Sequence, residues 1–180
     1  MKNYLDYLLL LFLLCVGFTP MAQPTLKPSP KLLEAMNKTY FLVGKWKGTG
    51  WIQFGPKKNN FIQTEDVSLK ANNTVVQIEG RGVAAEDTSI VIHQAYATVS
   101  YDLYNNKYLM RAIRGDGGHV DADFNVLADG AIEWKFKNPQ AGEIKYTIRL
   151  IDNKWVEKGE ISRDGQSWMQ FFEMSLAKVK

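Results

Sequence analysis

The chain has 180 residues, 46% of them hydrophobic, and its 22 basic and 19 acidic residues give a formal charge of +3. Charges of both signs are interspersed through segments such as Lys135, Lys137, Glu143, Lys145, Arg149 and Lys154, so the basic stripe of a nucleic-acid surface is missing and no nucleic-acid partner is expected. A single cysteine, Cys15, excludes an internal disulfide framework and leaves stability to burial, for which nine Phe, eight Tyr and five Trp supply material.

At the N-terminus, Lys2 precedes the apolar run Leu8 to Val16, which gives way to Gly17, Pro20 and the small residue Ala22. This charged, apolar and cleavage layout is that of a secretory signal, and the run is too short to span a bilayer. Residues 1–22 are therefore expected to be a signal peptide. The mature protein is expected to be periplasmic or secreted, with no stable membrane insertion after cleavage. A lipoprotein would need a small residue before Cys15, where Leu14 stands. A retained N-terminal anchor is the other alternative. Cleavage removes Cys15, leaving no thiol nucleophile or thiolate metal site and one domain's length of chain.

Residues 23–43 read as an extended lead-in with three prolines, Pro24, Pro28 and Pro30, and then a capping helix. Ser29 can cap that helix with Pro30 at its first position, and it is expected to run to about Phe41. Leu32, Leu33, Met36 and Tyr40 share one face at helical spacing and can plug the end of a barrel.

From residue 44 to 180 the chain alternates apolar and polar residues in ten short runs. These are Gly44–Gly55, Asn60–Lys70, Thr74–Gly82, Ile90–Tyr101, Lys107–Arg114, Gly118–Leu127, Ala131–Lys137, Gly142–Ile151, Lys154–Ser162 and Ser167–Leu176. Turn chemistry separates them: Asn72-Asn73, Asn105-Asn106, Gly115 to Gly118, Asp129-Gly130, Asn138-Pro139, Asp152-Asn153 and Asp164-Gly165. Such turns join neighbours in sequence order, which predicts an all-β, ten-stranded antiparallel up-and-down barrel. Val83–Ser89 has no tight-turn signature and is expected to be a loop at the cavity mouth.

Alternation predicts which residues point inward: Trp46, Gly50, Ile52 and Phe54 on the first strand, Ile132, Trp134 and Phe136 on the seventh, Ile144, Tyr146, Ile148 and Leu150 on the eighth. In the last strand Trp168, Phe172, Met174 and Leu176 compete with Met169 and Phe171. Polar groups interrupt faces that otherwise look apolar: Gln63 and Glu65 between Phe61 and Val67, Gln77 and Glu79 after Val75, and Glu157 after Trp155. An enclosed carboxylate needs a cation or several donors. Arg111, alternating with Leu109 and Ile113, is the expected internal counter-charge, with Arg81 and Arg149 behind it. These groups could form a polar patch orienting a ligand's head group, or a one-residue slip at a bulge could place them in solvent.

Catalytic signatures are weak. Any barrel of this size offers a chance pair of carboxylates. His93 and His119 lack metal-ligand spacing, neither G-x-S-x-G nor H-E-x-x-H occurs, and Gly115–Gly118 lacks the lysine and following helix of a phosphate loop. His93 reads as a wall histidine rather than a haem or zinc ligand, and neither cofactor nor metal is expected.

Gly44-Lys45-Trp46 and the meander after it resemble the openings of lipocalin and fatty-acid-binding barrels, the calycins, including the bacterial nitrobindin-like barrels. Ile78-Glu79-Gly80-Arg81-Gly82, Ser100-Tyr101-Asp102 and Asp164-Gly165-Gln166-Ser167-Trp168 through Phe172-Glu173-Met174 resemble the uncharacterised bacterial DUF1579-type domains. The resemblance implies a calycin-like barrel and transfers no catalytic residue. Nitrobindin-like haem barrels use a histidine close to the C-terminus, whereas no histidine follows His119 here.

The expected function is capture of a small apolar or amphipathic molecule, with Trp46, Phe61, Trp134, Tyr146 and Phe172 lining the cavity and Glu65, Glu79 and Arg111 as polar anchors. Two alternatives stand beside it. One is an enzyme acting on a small lipid or sugar, with Glu65 or Glu79 as acid or base. The other is a barrel filled by its own aromatics that works through its outer surface. The signal assignment predicts that N-terminal sequencing of protein from the envelope or medium starts at or close to Gln23, and a soluble cytoplasmic form retaining Met1 would refute it.

Overall fold

The computed structural model describes residues 26–179, so the signal-like stretch and the start of the lead-in lie outside it. Ten antiparallel strands close into a barrel in sequence order, the last pairing with the first. They are β1 (Gly44–Ile52), β2 (Asn59–Lys70), β3 (Val75–Ala84), β4 (Val91–Asp102), β5 (Lys107–Arg114), β6 (His119–Val126), β7 (Ile132–Asn138), β8 (Gly142–Ile151), β9 (Lys154–Ser162) and β10 (Met169–Lys178). A barrel closed this way leaves no sheet edge unpaired.

Turn chemistry holds the meander in order. Asn72, Asn73, Asn106, Asp152 and Asn153 take positive φ, the conformation that Asn and Asp tolerate best after glycine. Asp102 and Asp164 each cap a turn: Asp102 accepts the backbone N–H groups of Tyr104 and Asn105, and Asp164 those of Gln166 and Ser167. The phrases that resemble DUF1579-type domains thus include turn-making residues.

The helix α1 (Pro30–Asn37) starts as expected, with Ser29 Oγ accepting the Leu32 N–H at 3.2 Å and Pro30 in the first turn. It ends four residues early. The Thr39 hydroxyl and N–H both donate to the Met36 carbonyl, at 2.6 and 2.9 Å, and a 3-10 turn over Tyr40–Leu42 follows. This competition between side chain and helix backbone drives Leu42 into the barrel end, where Met36 and Leu42 are almost fully enclosed. Tyr108 donates its hydroxyl to the Ala35 carbonyl and Tyr40 donates to that of Asn73, fixing the helix across the opening.

Trp46 locks this end. It is 3% exposed, packs edge-on against Trp155 with ring centroids 5.9 Å apart, and donates its indole N–H to the Leu42 carbonyl at 2.8 Å. Beside it Val67, Val76, Val99, Ile132, Ile148 and Leu176 fill the lower half. That half is solid core, and any lumen must lie above it.

Leu150, expected inward at the end of β8, is 47% exposed, Phe54 also departs from expectation, and the face of β10 left open by the sequence is decided. β1 stops at Ile52, so Phe54 lies beyond the ladder and is 76% exposed, resting against Phe171. In β10 a bulge between Gln170 and Phe172 inserts Phe171 as an extra residue. Phe172, Met174 and Leu176 therefore face inward while Phe171 is also buried, which resolves the competing sets.

Trp46→Ala removes both the indole and its hydrogen bond from an enclosed site, so urea unfolding should show a loss of about 3–5 kcal/mol. An unchanged midpoint would mean that the helix end is not sealed by this side chain.

Candidate functional site

The upper half of the barrel is asymmetric. Along one wall the inward positions of β7, β8, β10 and β2 carry large rings. Phe136 and Trp134 stack with centroids 5.9 Å apart, Trp134 and Tyr146 at 4.1 Å, Tyr146 meets Phe172 edge-on at 5.6 Å, and Phe172 stacks on Phe61 at 5.6 Å. Across the lumen the inward positions of β3, β4 and β5 are Gly80, Gly82, Ala95 and Ala112, in alternation with Val76, Ala97 and Met110 below them. Large rings thus oppose glycine and alanine across the barrel.

The glycines also make room for polar side chains. A Cβ built on Gly80 would fall 2.8 Å from Glu65 Oε2, and one on Gly82 would strike the Gln63 side-chain oxygen. The Glu65 carboxyl and the Gln63 amide therefore lie flat on the backbone of β3. Gln63 is 3% exposed and Glu65 8%, and the Gln63 amide donates to Glu65 Oε1 at 2.7 Å.

Glu157 of β9, 5% exposed, faces the same space. Trp134 Nε1 donates to its Oε1 at 3.2 Å and Trp155 Nε1 to its Oε2 at 3.1 Å. Those donors are neutral, and none of the ion pairs among the described residues includes Glu65 or Glu157. Burial therefore dominates the acidity of both. Desolvation raises Glu65 to about 7, partly opposed by the Gln63 hydrogen bond. Glu157 rises to about 8 through desolvation and then the charge of Glu65, against the two indole hydrogen bonds. Charging one carboxyl makes charging the other harder.

His93 and Arg114 stand at the mouth. His93 pairs with Gly82 across β3 and β4, with its Cβ on the inner side. Its pKa is lowered by desolvation and by the charge of Arg114. Arg114 is ion-paired to Asp116 at 2.7 Å, and its charge is also felt by Tyr146, whose phenol burial and Glu157 push up. Among the described residues no group of three His, Cys, Asp or Glu could hold a metal ion.

Of the expected lining, Trp46, Phe61, Glu65, Trp134, Tyr146 and Phe172 face inward, although Trp46 sits in the sealed half rather than beside the space. Glu79 and Arg111 do not. On β3 the inward set is Val76, Ile78, Gly80 and Gly82, so Gln77, Glu79 and Arg81 point outward. On β5 it is Tyr108, Met110 and Ala112, so Arg111 points outward between Leu109 and Ile113, which are 46% and 42% exposed. Arg111 pairs with Asp121 at 2.6 Å and Arg149 with Asp129 at 2.6 Å, while Glu79 accepts the Gln77 amide. Glu79 instead borders a broad hollow of about 790 Å³ over β1–β5 with Lys45, Asp66 and Arg81, which the inward-facing Glu65, Gly80, Ala95 and Arg114 also line. The expected Glu79–Arg111 anchor is thus replaced by Glu65 and Glu157, with no internal arginine between them.

Glu157 was legible as an anomaly beside Trp155 but not as a partner of Glu65, because they meet across β2, β1, β10 and β9. Arg114, at the end of its strand, carried no signal separating it from turn residues.

No protein-family model matches the chain, and no curated protein matches it in sequence. Solved structures do match its shape. Rv2717c from M. tuberculosis superposes with a TM-score of 0.60 at 12% identity, covering 86% of this chain and 100% of that one. The S-type phycobiliprotein lyase CPES from Guillardia theta superposes with a TM-score of 0.56 at 10% identity, covering 82% and 92%. These are barrels of the calycin type, and at such identities the likeness is one of fold. The chain has that architecture, a closed ten-stranded up-and-down barrel with one short helix before it.

Two carboxyls whose pKa values lie above the ordinary glutamate 4.5 in the fold give a definite pH dependence. The folded state keeps protons that the unfolded chain has released, so the stability these two groups contribute is fully present below about 4.5 and is lost as pH rises towards about 8. The slope should approach about 1.4 kcal/mol per pH unit for each proton retained. Above about pH 7, where the opposing linkage of His93 is spent, urea midpoints should therefore decline towards pH 8 in the wild type and decline less steeply in Glu157→Gln, which keeps Glu65. A wild-type midpoint that rises with pH would contradict the enclosed pair.

Proposed function

We propose that this chain is an exported barrel that binds a small amphipathic molecule in the upper half of its lumen. One observation carries the reading: a continuous aromatic wall from Phe136 to Phe61 faces a wall of Gly80, Gly82, Ala95 and Ala112, above a floor bearing Glu65 and Glu157. Binding pockets have this composition, an apolar lining with a few convergent polar groups. A barrel packed for structure alone would place large side chains on both walls. The fold agrees, since a phycobiliprotein lyase shares it.

Export rests on the layout of residues 1–22. We also group the chain with the DUF1579-type domains on the phrases quoted above, among which Ile78–Gly82 contains the two glycines that seat Gln63 and Glu65. Catalysis has less to stand on. Glu65 and Glu157 can hold protons, but a hydrolytic pair needs one member ionised as base or nucleophile, and both are pushed towards the protonated form.

Native mass spectrometry of protein purified from its own host should show a co-purified small molecule that denaturation releases. Ala95→Phe, which projects a ring from the small-residue wall, should retain the barrel's circular dichroism and lose that added mass. A bare polypeptide mass in repeated wild-type preparations would favour a self-filled barrel.

A further inference from the structure

The floor of the lumen has a chemistry that restricts what can bind there. Glu157 has both oxygens engaged by indole N–H groups, and Glu65 Oε1 takes the Gln63 amide. Glu65 Oε2 accepts no hydrogen bond from the described residues. Because every fully enclosed side-chain polar atom among the described residues has a partner, Oε2 is not fully enclosed. The floor therefore presents two carboxyls with no cationic partner, held by neutral N–H donors, and one oxygen, Glu65 Oε2, without a partner among the described residues. The other titratable groups facing this space are Tyr146 on β8 and, towards the mouth, His93 on β4 and Arg114 on β5, the last held by Asp116.

We propose that the lumen selects molecules joining an apolar body to a cationic nitrogen head, an ammonium or amidinium, seated at Glu65 and Glu157 beneath the aromatic wall. This deepens the binding reading above and rests on it. A cation supplies the counter-charge that the chain itself does not place there, and its N–H groups match the free acceptor. Trp134 and Tyr146 present ring faces that attract a cation as well as an apolar body. A carboxylate head would meet two acids, and an alcohol would leave the charge problem as it was.

The exchange is balanced in protons. In the empty barrel Glu157 is largely protonated at neutral pH, and Glu65, with a pKa of about 7, is protonated below it. An entering ammonium stays charged, one carboxyl gives its proton to solvent, and the new carboxylate pairs with the ammonium. Affinity for a cation must then rise with pH until the carboxyl is ionised beforehand, and proton release must vanish above that point.

A matched series of octylamine, octan-1-ol and octanoate, titrated calorimetrically into the mature protein, tests this. At pH 6 the amine should bind at least about tenfold more tightly than the other two, releasing about one proton as read from two buffers of different ionisation enthalpy. Its affinity should rise by up to about tenfold per pH unit up to about pH 7, where the first carboxyl ionises, and level off by about pH 8, where release approaches zero. Glu157→Gln and Glu65→Gln should each weaken the amine about tenfold and leave octanol unchanged. The wild-type proton count tests the proposal even if neither variant folds.

Octanol binding as tightly as the amine, with no proton release, would overturn head-group selection while leaving lumen binding intact. Octanoate binding best, with affinity lost in Arg114→Gln, would overturn it in favour of an anion site at the mouth. No binding by any of the three would overturn both the selection and the binding reading beneath it.

Discussion

The structure turns on the enclosure of two carboxyl groups in a barrel that places no arginine or lysine between them. Coulomb repulsion and lost hydration both oppose their ionisation, and three neutral N–H donors, from Gln63, Trp134 and Trp155, offset only part of that penalty. Replacing both acids with apolar residues would relieve the cost, so their presence is better explained by function than by stability. An enclosed polar group that stability does not require marks a candidate site.

The surroundings accommodate the pair. Glu65 and Gln63 can lean against β3 because Gly80 and Gly82 offer no side chain there, and Tyr146 lies over Gly159 of β9 in the same way. The two indoles that hold Glu157 are themselves anchored, Trp155 against Trp46 in the sealed half and Trp134 between Phe136 and Tyr146 in the open half. The acid therefore sits at the boundary between solid core and lumen. The helix plug, the Trp46 hydrogen bond and the floor form one packed unit.

Much of this was readable from residues alone. Ten strands, their order and their turns followed from period-two alternation and from Asn, Asp and Gly at turn positions, because those signals are local. The inward positions of Gln63, Glu65 and Glu157 followed from their apolar neighbours on the same face. Faces failed where the inward set was small. On β3, Gly80 and Gly82 do not register as a buried face, so alternation alone places Gln77 and Glu79 in the interior. On β5 two apolar sets compete, Leu109 with Ile113 and Tyr108 with Met110, and only pairing to β4 and β6 decides between them. The meeting of Glu65 with Glu157 depends on barrel closure through β1 and β10, which no local pattern encodes.

The chemistry of the lumen depends on the protonation of those two groups. Carbon-13 NMR of protein labelled at the glutamate side-chain carboxyls follows each group through a pH titration. Two resonances should titrate near 7 and 8, one vanishing in Glu65→Gln and the other in Glu157→Gln; the Glu157 resonance should move to lower pH in Glu65→Gln because the repulsion is gone, while that of Glu65, raised by burial, should stay near 7 in Glu157→Gln. Glutamates that all titrate close to 4.5 would contradict it, placing both acids in water and leaving the lumen without its floor.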